Sequence, residues 1–262
     1  MKKLSVIKIG GKVIDDQALL GQFLQDFAEL EGPKILVHGG GKIASDFGKR
    51  LGIQPKMVEG RRITDSETLE LVTMVYGGLV NKKIVSHLQA LGEDAIGLSG
   101  ADANVLKATK RPVKTIDYGF AGDITIEGVN KSRISQFLEN GLIPVICALT
   151  HDGSGSLLNT NADTLASVIS GALSSEYEVR LTYCFEHKGV LSDFEKQKVI
   201  ATIDIKEYES LKANGIISDG MIPKLDNAFE ALKSGASAVT VGHFSDLQAM
   251  CKGNSGTLIE MN

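Results

Sequence analysis

The chain lacks the features that would place it in several large classes. Its three cysteines, Cys147, Cys184 and Cys251, are odd in number and far apart, which fits neither a disulfide framework nor metal-ligand spacing. A reducing cytoplasm is the expected setting. Runs without a formal charge reach only about a dozen residues, against the roughly 20 apolar residues that cross a bilayer. The opening MKKLSVIKIGGK has no signal-peptide hydrophobic region, so no membrane partner is expected. Basic residues are not in excess: 28 Lys and Arg stand against 32 Asp and Glu, a formal charge of −4. Nucleic acid is therefore not an expected partner. The five histidines, His38, His87, His151, His187 and His243, form no cluster, and no C-x-x-C or H-E-x-x-H spacing occurs. No protein-held metal is expected.

What is present is an α/β pattern. The 262 residues, 43% of them hydrophobic, suffice for one large domain or two lobes sharing a sheet. LSVIKIGG reads as a strand and glycine turn, and DDQALLGQFLQDFAEL follows with apolar positions at helical spacing. The unit repeats as KILVH, GGGK and IASDFGKRLG, which suggests one parallel sheet edge. DSETLELVTMVYGGLVNKKIVSHLQALG predicts a long helix with a capping-box start at Ser66 and apolar positions that include Tyr76. Between residues 112 and 130, polar and apolar residues alternate around glycines, predicting an inserted hairpin that covers a site. GLIPVICAL, VRLTYC, ASAVTVG and GTLIEMN read as strands, and LLNTNADTLASVISGAL and SDGMIPKLDNAFEALKSG as a turn with a helix and a capped helix.

The glycine turns are where an anion could sit. No G-x-S-x-G pentapeptide occurs, which excludes an esterase elbow, and neither Gly11-Lys12 nor Gly41-Lys42 is followed by Ser or Thr as a Walker A loop requires. Gly39-x-Gly41-x-x-Ala44 with Glu59 fits a loose dinucleotide fingerprint, and two plain turns would fit as well. Lys8 weighs against plain turns. It lies in an apolar strand two residues before Gly10, and burying it is costly unless an anion meets it. An edge-strand lysine reaching solvent is the alternative. Lys224, taken alone, reads as a solvated helix lysine, and Asp163 in NTNAD as a helix cap.

KIGG, VHGGGK, GRRIT, NTNAD and SDGMIPK occur in the order and approximate spacing of the amino acid kinase family. Together they resemble its acylglutamate-phosphorylating branch over essentially the whole chain. The resemblance implies an α/β fold, an open αβα sandwich with a largely parallel central sheet. It also implies an N-terminal lobe, residues 1–175, for the acyl-amino acid and dimerisation, and a C-terminal lobe, residues 176–262, for ATP. The implied reaction moves the γ-phosphoryl group of ATP, arriving with Mg2+, to the side-chain carboxylate of an N-acetyl- or N-succinyl-L-glutamate in arginine biosynthesis. A carboxylate is already ionised at neutral pH, so the reaction needs cations and N–H donors rather than a general base.

By the same resemblance Lys8 and Lys224 bracket the transferring group, and Asp163 holds both lysines. Gly10 and Gly11 approach the phosphoryl group, while Glu186, Gly189, Val190, Ile217, Ser218 and Met221 contact ATP. Gly40, Gly41, Arg62 and Asn159 receive the acceptor. Two stretches, LTYCFEHKGVL and PVICALT, depart from the family pattern. LTYCFEHKGVL replaces an LSDVxGI-like segment, placing Glu186 at the usual aspartate, and Lys107, Lys110 and Arg111 lie near the hairpin, where a succinyl carboxylate would need a cation. The chain starts close to its first strand, without the extra helix of arginine-inhibited hexameric members. A homodimer without strong arginine inhibition is expected. A glutamate or aspartate kinase, or a non-catalytic amino-acid sensor of the same fold, are the alternatives.

Overall fold

The computed structural model describes residues 1–58, 61–193, 195–217 and 220–261. Eight strands form the central sheet: β1 (Lys2–Ile9), β2 (Lys34–His38), β3 (Ala95–Leu98), β4 (Ile143–Cys147), β5 (Tyr177–Phe185), β6 (Thr202–Ile203), β7 (Ala238–His243) and β8 (Thr257–Ile259). Their order is β6-β8-β7-β5-β1-β2-β4-β3, and every pairing is parallel except β7 with β8. All residues of β2 and β4 are buried. That is the signature of parallel strands covered by helices on both faces. Residues 1–175 supply β1 to β4 and residues 176–262 supply β5 to β8.

The two glycine-turn strands lie in the middle of this sheet, not at an edge. Strand order depends on where each crossover lands, and local sequence does not encode that. Lys8 consequently has β5 on one side and β2 on the other, in register with Tyr183 and Val37. It cannot be an edge-strand lysine.

The longer helices among the described residues are α1 (Gln17–Ala28), α2 (Gly41–Arg50), the continuous α3, α4 (Lys131–Glu139), α5 (Ala162–Leu173), α6 (Ile205–Ala213) and α7 (Ile222–Lys233). Helix α3 runs through Ser66–Val72, an eight-residue π-helical stretch Thr73–Val80, and Asn81–Ala90. Its cap is Asp65, which accepts from the Thr68 amide, so Ser66 falls inside the first turn rather than at the cap. Helix α5 is covered along most of its length. It packs on α7 so closely that a Cβ at Gly171 would lie 2.6 Å from Ser234 Cβ, and Ser167 Oγ donates to the Asn227 carbonyl at 2.9 Å.

The insertion pairs Thr109–Lys110 with Gly122–Asp123, two residues a side, so the expected hairpin is shorter than its alternation suggested. Its inner edge still organises the cleft. Phe120 N–H donates to Thr64 O, and Phe120 O accepts from Asn159 N–H, at 2.7 and 2.8 Å. The GRRIT and NTNAD segments are thereby stitched together. Gly119 is required at this crossing, because at φ 65° a Cβ there would meet Thr64 O at 2.2 Å.

Candidate active site

The chemistry-bearing residues gather beyond the C-terminal ends of β1, β2 and β5, where open parallel sheets place their crevices. Lys8 Nζ lies 2.7 Å from Asp163 Oδ1, and Lys224 Nζ donates to Oδ2 at 2.9 Å. The Lys8 contact is a close ion pair, whereas the aligned hydrogen bond on this carboxylate comes from Lys224. Burial would raise the Asp163 pKa, but the two ammonium groups outweigh it and hold the carboxyl at about 2. One anion thus fixes two cations that would otherwise repel each other.

Asp163 is not the cap of α5. Asn161 occupies that position, its Oδ1 accepting from the Asp163 and Thr164 amides at 2.8 and 3.0 Å. This frees the Asp163 carboxylate, in the first turn of the helix, to reach the lysines. Underneath, the buried Tyr183 hydroxyl donates to the Asp163 carbonyl at 3.0 Å. Tyr183→Phe leaves the ring and removes that bond. An expected loss of about 1 kcal/mol is checked by urea denaturation of the two proteins. Helix α7, which carries Lys224, starts without a side-chain cap: Met221 stands at its N-cap and Pro223 in the first turn. This corrects the expected capped start. Ser218, together with Glu59 of the dinucleotide pattern, lies outside the described residues.

The first glycine turn is shaped by this cluster. A Cβ at Gly10 would lie 2.7 Å from Lys8 Nζ, so only glycine leaves the ammonium where it is. Gly11 has φ 55°, and its missing Cβ would meet Glu186 Oε1 at 3.1 Å. Glu186 is therefore brought to the turn.

At the second turn, a Cβ on Gly40 would lie 2.9 Å from the Tyr76 ring. Gly41 opens α2, and the first amides of a helix lack helical acceptors and carry its positive end. Arg62 Nη2 donates to Gly41 O at 2.9 Å and to Ser45 Oγ at 2.8 Å, and Asn159 Nδ2 donates to Thr64 Oγ1 at 3.0 Å. Burial pushes the Tyr76 phenol up, against the pull of Arg62. Gly39 abuts Ala162, the neighbour of Asp163: a Cβ at Gly39 would lie 3.9 Å from Ala162 Cβ. The two turns and the lysine cluster therefore form one cleft.

The remaining expected nucleotide residues are less accessible. Val190 is buried, its N–H donates to Thr257 Oγ1 and its carbonyl accepts from Ile200 N–H, both at 2.8 Å. A Cβ on the adjacent Gly189 would lie 2.6 Å from the same Thr257 oxygen. Ile217 is buried in the core, and Met221 packs against it. The basic cluster near the hairpin has partners within the chain, although Lys107 and Lys110 are exposed. Arg111 Nε reaches both oxygens of Asp123 at 3.0 and 3.1 Å, Lys110 lies over the Phe120 ring, and Lys107 folds over Gly153. Arg111 is thus already neutralised. Tyr76, Ser45, Thr64, Asn161 and Tyr183 were not among the expected site residues. Tyr76 and Tyr183 carry no local signal, since each reads equally as an apolar core position.

Among the described residues no group of three or more His, Cys, Asp or Glu side chains could hold a metal ion, and no helix is long and apolar enough to cross a membrane. The described cysteines are free.

Comparison with known proteins gives a consistent set of relatives. The family model described as "Amino acid kinase family" matches residues 3–243. An acetylglutamate kinase of Bacteroides thetaiotaomicron is 52% identical over 260 residues, covering 99% of each chain. One from Cytophaga hutchinsonii is 52% identical over 266 aligned residues and covers both chains fully. Among solved structures, smu.665 from Streptococcus mutans superposes with a TM-score of 0.79 at 29% identity, covering 99% of each chain.

Proposed function

The chain belongs to the amino acid kinase family, and we propose that it transfers the γ-phosphoryl group of ATP to the side-chain carboxylate of N-acetyl-L-glutamate, an acyl-phosphate-forming step of arginine biosynthesis. The observation that carries this reading is the cluster of Lys8 and Lys224 on Asp163, at 2.7 and 2.9 Å, beside a glycine turn. A carboxylate nucleophile needs no base. It needs its repulsion from a polyanion cancelled and the charge on the phosphoryl oxygens met by fixed donors.

In this reading an acceptor oxygen forms the new P–O bond while the bond from the γ-phosphorus to the β-phosphate oxygen breaks, and ADP leaves. Lys8 would meet the phosphoryl oxygens from β1, and Lys224 would meet the leaving oxygen from α7. Asp163 would keep both ammoniums in place, and the Gly10 and Gly11 amides would add donors at close range. Gly40, Gly41, Arg62 and Asn159 would receive the acceptor, with Arg62 on its α-carboxylate. Residues 1–175 would hold the acyl-amino acid and the dimer contact, and residues 176–262 the nucleotide.

Mg2+ enters with ATP as part of the substrate. Both oxygens of Asp163 are taken by lysines, so that carboxylate is no ligand for it. Water and the phosphates would supply most of its oxygen shell, as Mg2+ prefers. Glu186, at the Gly11 turn, is the carboxylate beside the nucleotide phosphates. A cytoplasmic homodimer belongs to the same reading. Met74 and Leu79, exposed on the π-helical part of α3, supply an apolar face for it, and a monomeric mass in solution would remove that part.

Trapping with hydroxylamine tests the activity. ATP with N-acetyl-L-glutamate is expected to yield hydroxamate faster than N-succinyl- or unmodified L-glutamate, since Arg111 has no charge to spare for a succinyl group. No hydroxamate from any of the three would end the kinase reading. Arg62→Lys is expected to raise the acceptor KM by roughly tenfold and leave the ATP KM in place, because a lysine cannot reproduce the guanidinium fork. Steady-state kinetics with each substrate varied in turn checks this.

A further inference from the structure

His38 ends β2, one residue before the second glycine turn, and is completely buried. Its ring is held at both nitrogens. Nδ1 lies 2.8 Å from the Gly39 carbonyl oxygen, and Nε2 lies 3.0 Å from Asn81 Nδ2. A carbonyl can only accept, so Nδ1 carries the proton and Nε2 accepts from the Asn81 amide. The orientation of Asn81 is fixed in turn: Nδ2 also donates to Val145 O at 2.9 Å, and Oδ1 accepts from Lys82 Nζ at 3.1 Å. Lys82 Nζ donates as well to Gly97 O, at 3.1 Å. The hydrogen bonds therefore run one way, from Lys82 through Asn81 and His38 to the Gly39 carbonyl. Burial lowers the His38 pKa to about 4, which keeps the ring neutral.

Two further observations show that the surroundings are shaped to this chain of bonds. A Cβ at Gly97, on β3, would lie 2.0 Å from Asn81 Oδ1 and 2.8 Å from Lys82 Nζ, so only glycine admits the arrangement. Asn81 is also the first residue after the π-helical stretch whose Tyr76 packs on Gly40. The same helix thus grips the turn at two points.

The Gly39 carbonyl and the Gly40 N–H belong to one planar trans peptide and point in opposite directions. Whatever holds the carbonyl aims the amide. We propose that His38 and Asn81 are positioning residues for the acceptor subsite: by drawing the Gly39 carbonyl to the imidazole, they set the direction of the Gly40 N–H that the acyl-amino acid meets. This rests on the reading that the second glycine turn receives the acceptor.

The test measures KM for N-acetyl-L-glutamate and for ATP in the wild-type protein and in His38→Leu, His38→Asn and Gly97→Ala. Losing the hydrogen bond that aims the amide is expected to raise the acceptor KM roughly tenfold in His38→Leu with the ATP KM unchanged. His38→Asn, whose amide nitrogen can take the place of Nδ1, is expected to recover most of that loss. Gly97→Ala, which does not touch the turn, is expected to raise the acceptor KM in the same direction by displacing Asn81. An unchanged acceptor KM in His38→Leu and Gly97→Ala, an equal rise in the ATP KM, or an asparagine variant as impaired as the leucine one overturns the proposal. Should His38→Leu fail to fold, Gly97→Ala decides: an unchanged acceptor KM or an equal rise in the ATP KM overturns the proposal. A wild-type protein that forms no acyl phosphate would instead overturn the reading on which the subsite depends.

Discussion

Replacing Lys8 by methionine is expected to lower kcat at least a hundredfold, on the order of 3 kcal/mol of lost transition-state stabilisation, while the protein still folds. The magnitude follows from where the residue sits. Lys8 projects from a strand flanked on both sides, over a glycine that has no side chain to obstruct it, onto a carboxylate shared with a second lysine. Its position is fixed before any phosphate arrives, so no reorganisation is left for the moment of transfer. Methionine keeps the apolar stem and removes only the charge. Arginine is not expected to rescue, because a planar guanidinium cannot take the place of a compact ammonium held 2.7 Å from Asp163 Oδ1. Hydroxamate formation at saturating substrates checks the rate, and a thermal melt checks the fold. A Lys8→Met protein within a few-fold of wild-type kcat would show that this ammonium does not meet the transferring group.

Asp163→Asn should have the largest effect on stability, because it leaves two ammonium groups facing each other around an amide. Removing one partner of a buried ion pair costs about 3–5 kcal/mol, and kcat should fall as the lysines lose their anchor. The pH dependence identifies the cause. The folded-state pKa of Asp163 is about 2 against an ordinary 3.8. The unfolded chain therefore binds the proton more readily, and the contribution is fully present above about pH 4. It is lost as pH falls through the interval from about 4 to about 2. The shift corresponds to on the order of 2 kcal/mol. Urea midpoints of wild type and Asp163→Asn should accordingly be well separated at pH 6 and converge as pH approaches 2. A separation that stays constant over that interval would mean that the carboxylate charge is not what holds the cluster.

Much of this centre was legible in the sequence because its chemistry is costly anywhere else. A lysine between apolar neighbours in a strand demands an anion, and the glycines after it mark a close approach. The structure brings Lys8 and Lys224 onto Asp163. Other features carry no comparable signal. The π-helical stretch differs from an α-helix by less than one residue per turn, so its apolar spacing read as an ordinary helix. NTNAD offers several cap-competent side chains, and only the backbone shows that Asn161 caps while Asp163 reaches inward. The Tyr183 hydroxyl and the His38–Asn81 bond join residues 20 and 43 positions apart, which periodicity cannot report. The central place of β1 and β2 is likewise a property of the crossovers, not of the strands. The insertion's pairing is only two residues a side because Thr64 and Asn159 take up its inner edge.

In the proposed mechanism the acceptor's own carboxylate oxygen attacks phosphorus between two aspartate-held lysines. Labelling the side-chain carboxylate of N-acetyl-L-glutamate with oxygen-18 tests it most directly. After one enzymatic phosphorylation and cleavage by hydroxylamine, which attacks the carbonyl carbon, the bridging oxygen stays with phosphorus. The released phosphate, examined by phosphorus NMR, should carry one labelled oxygen per hydroxamate formed. ATP-dependent release of phosphate without label would contradict the account.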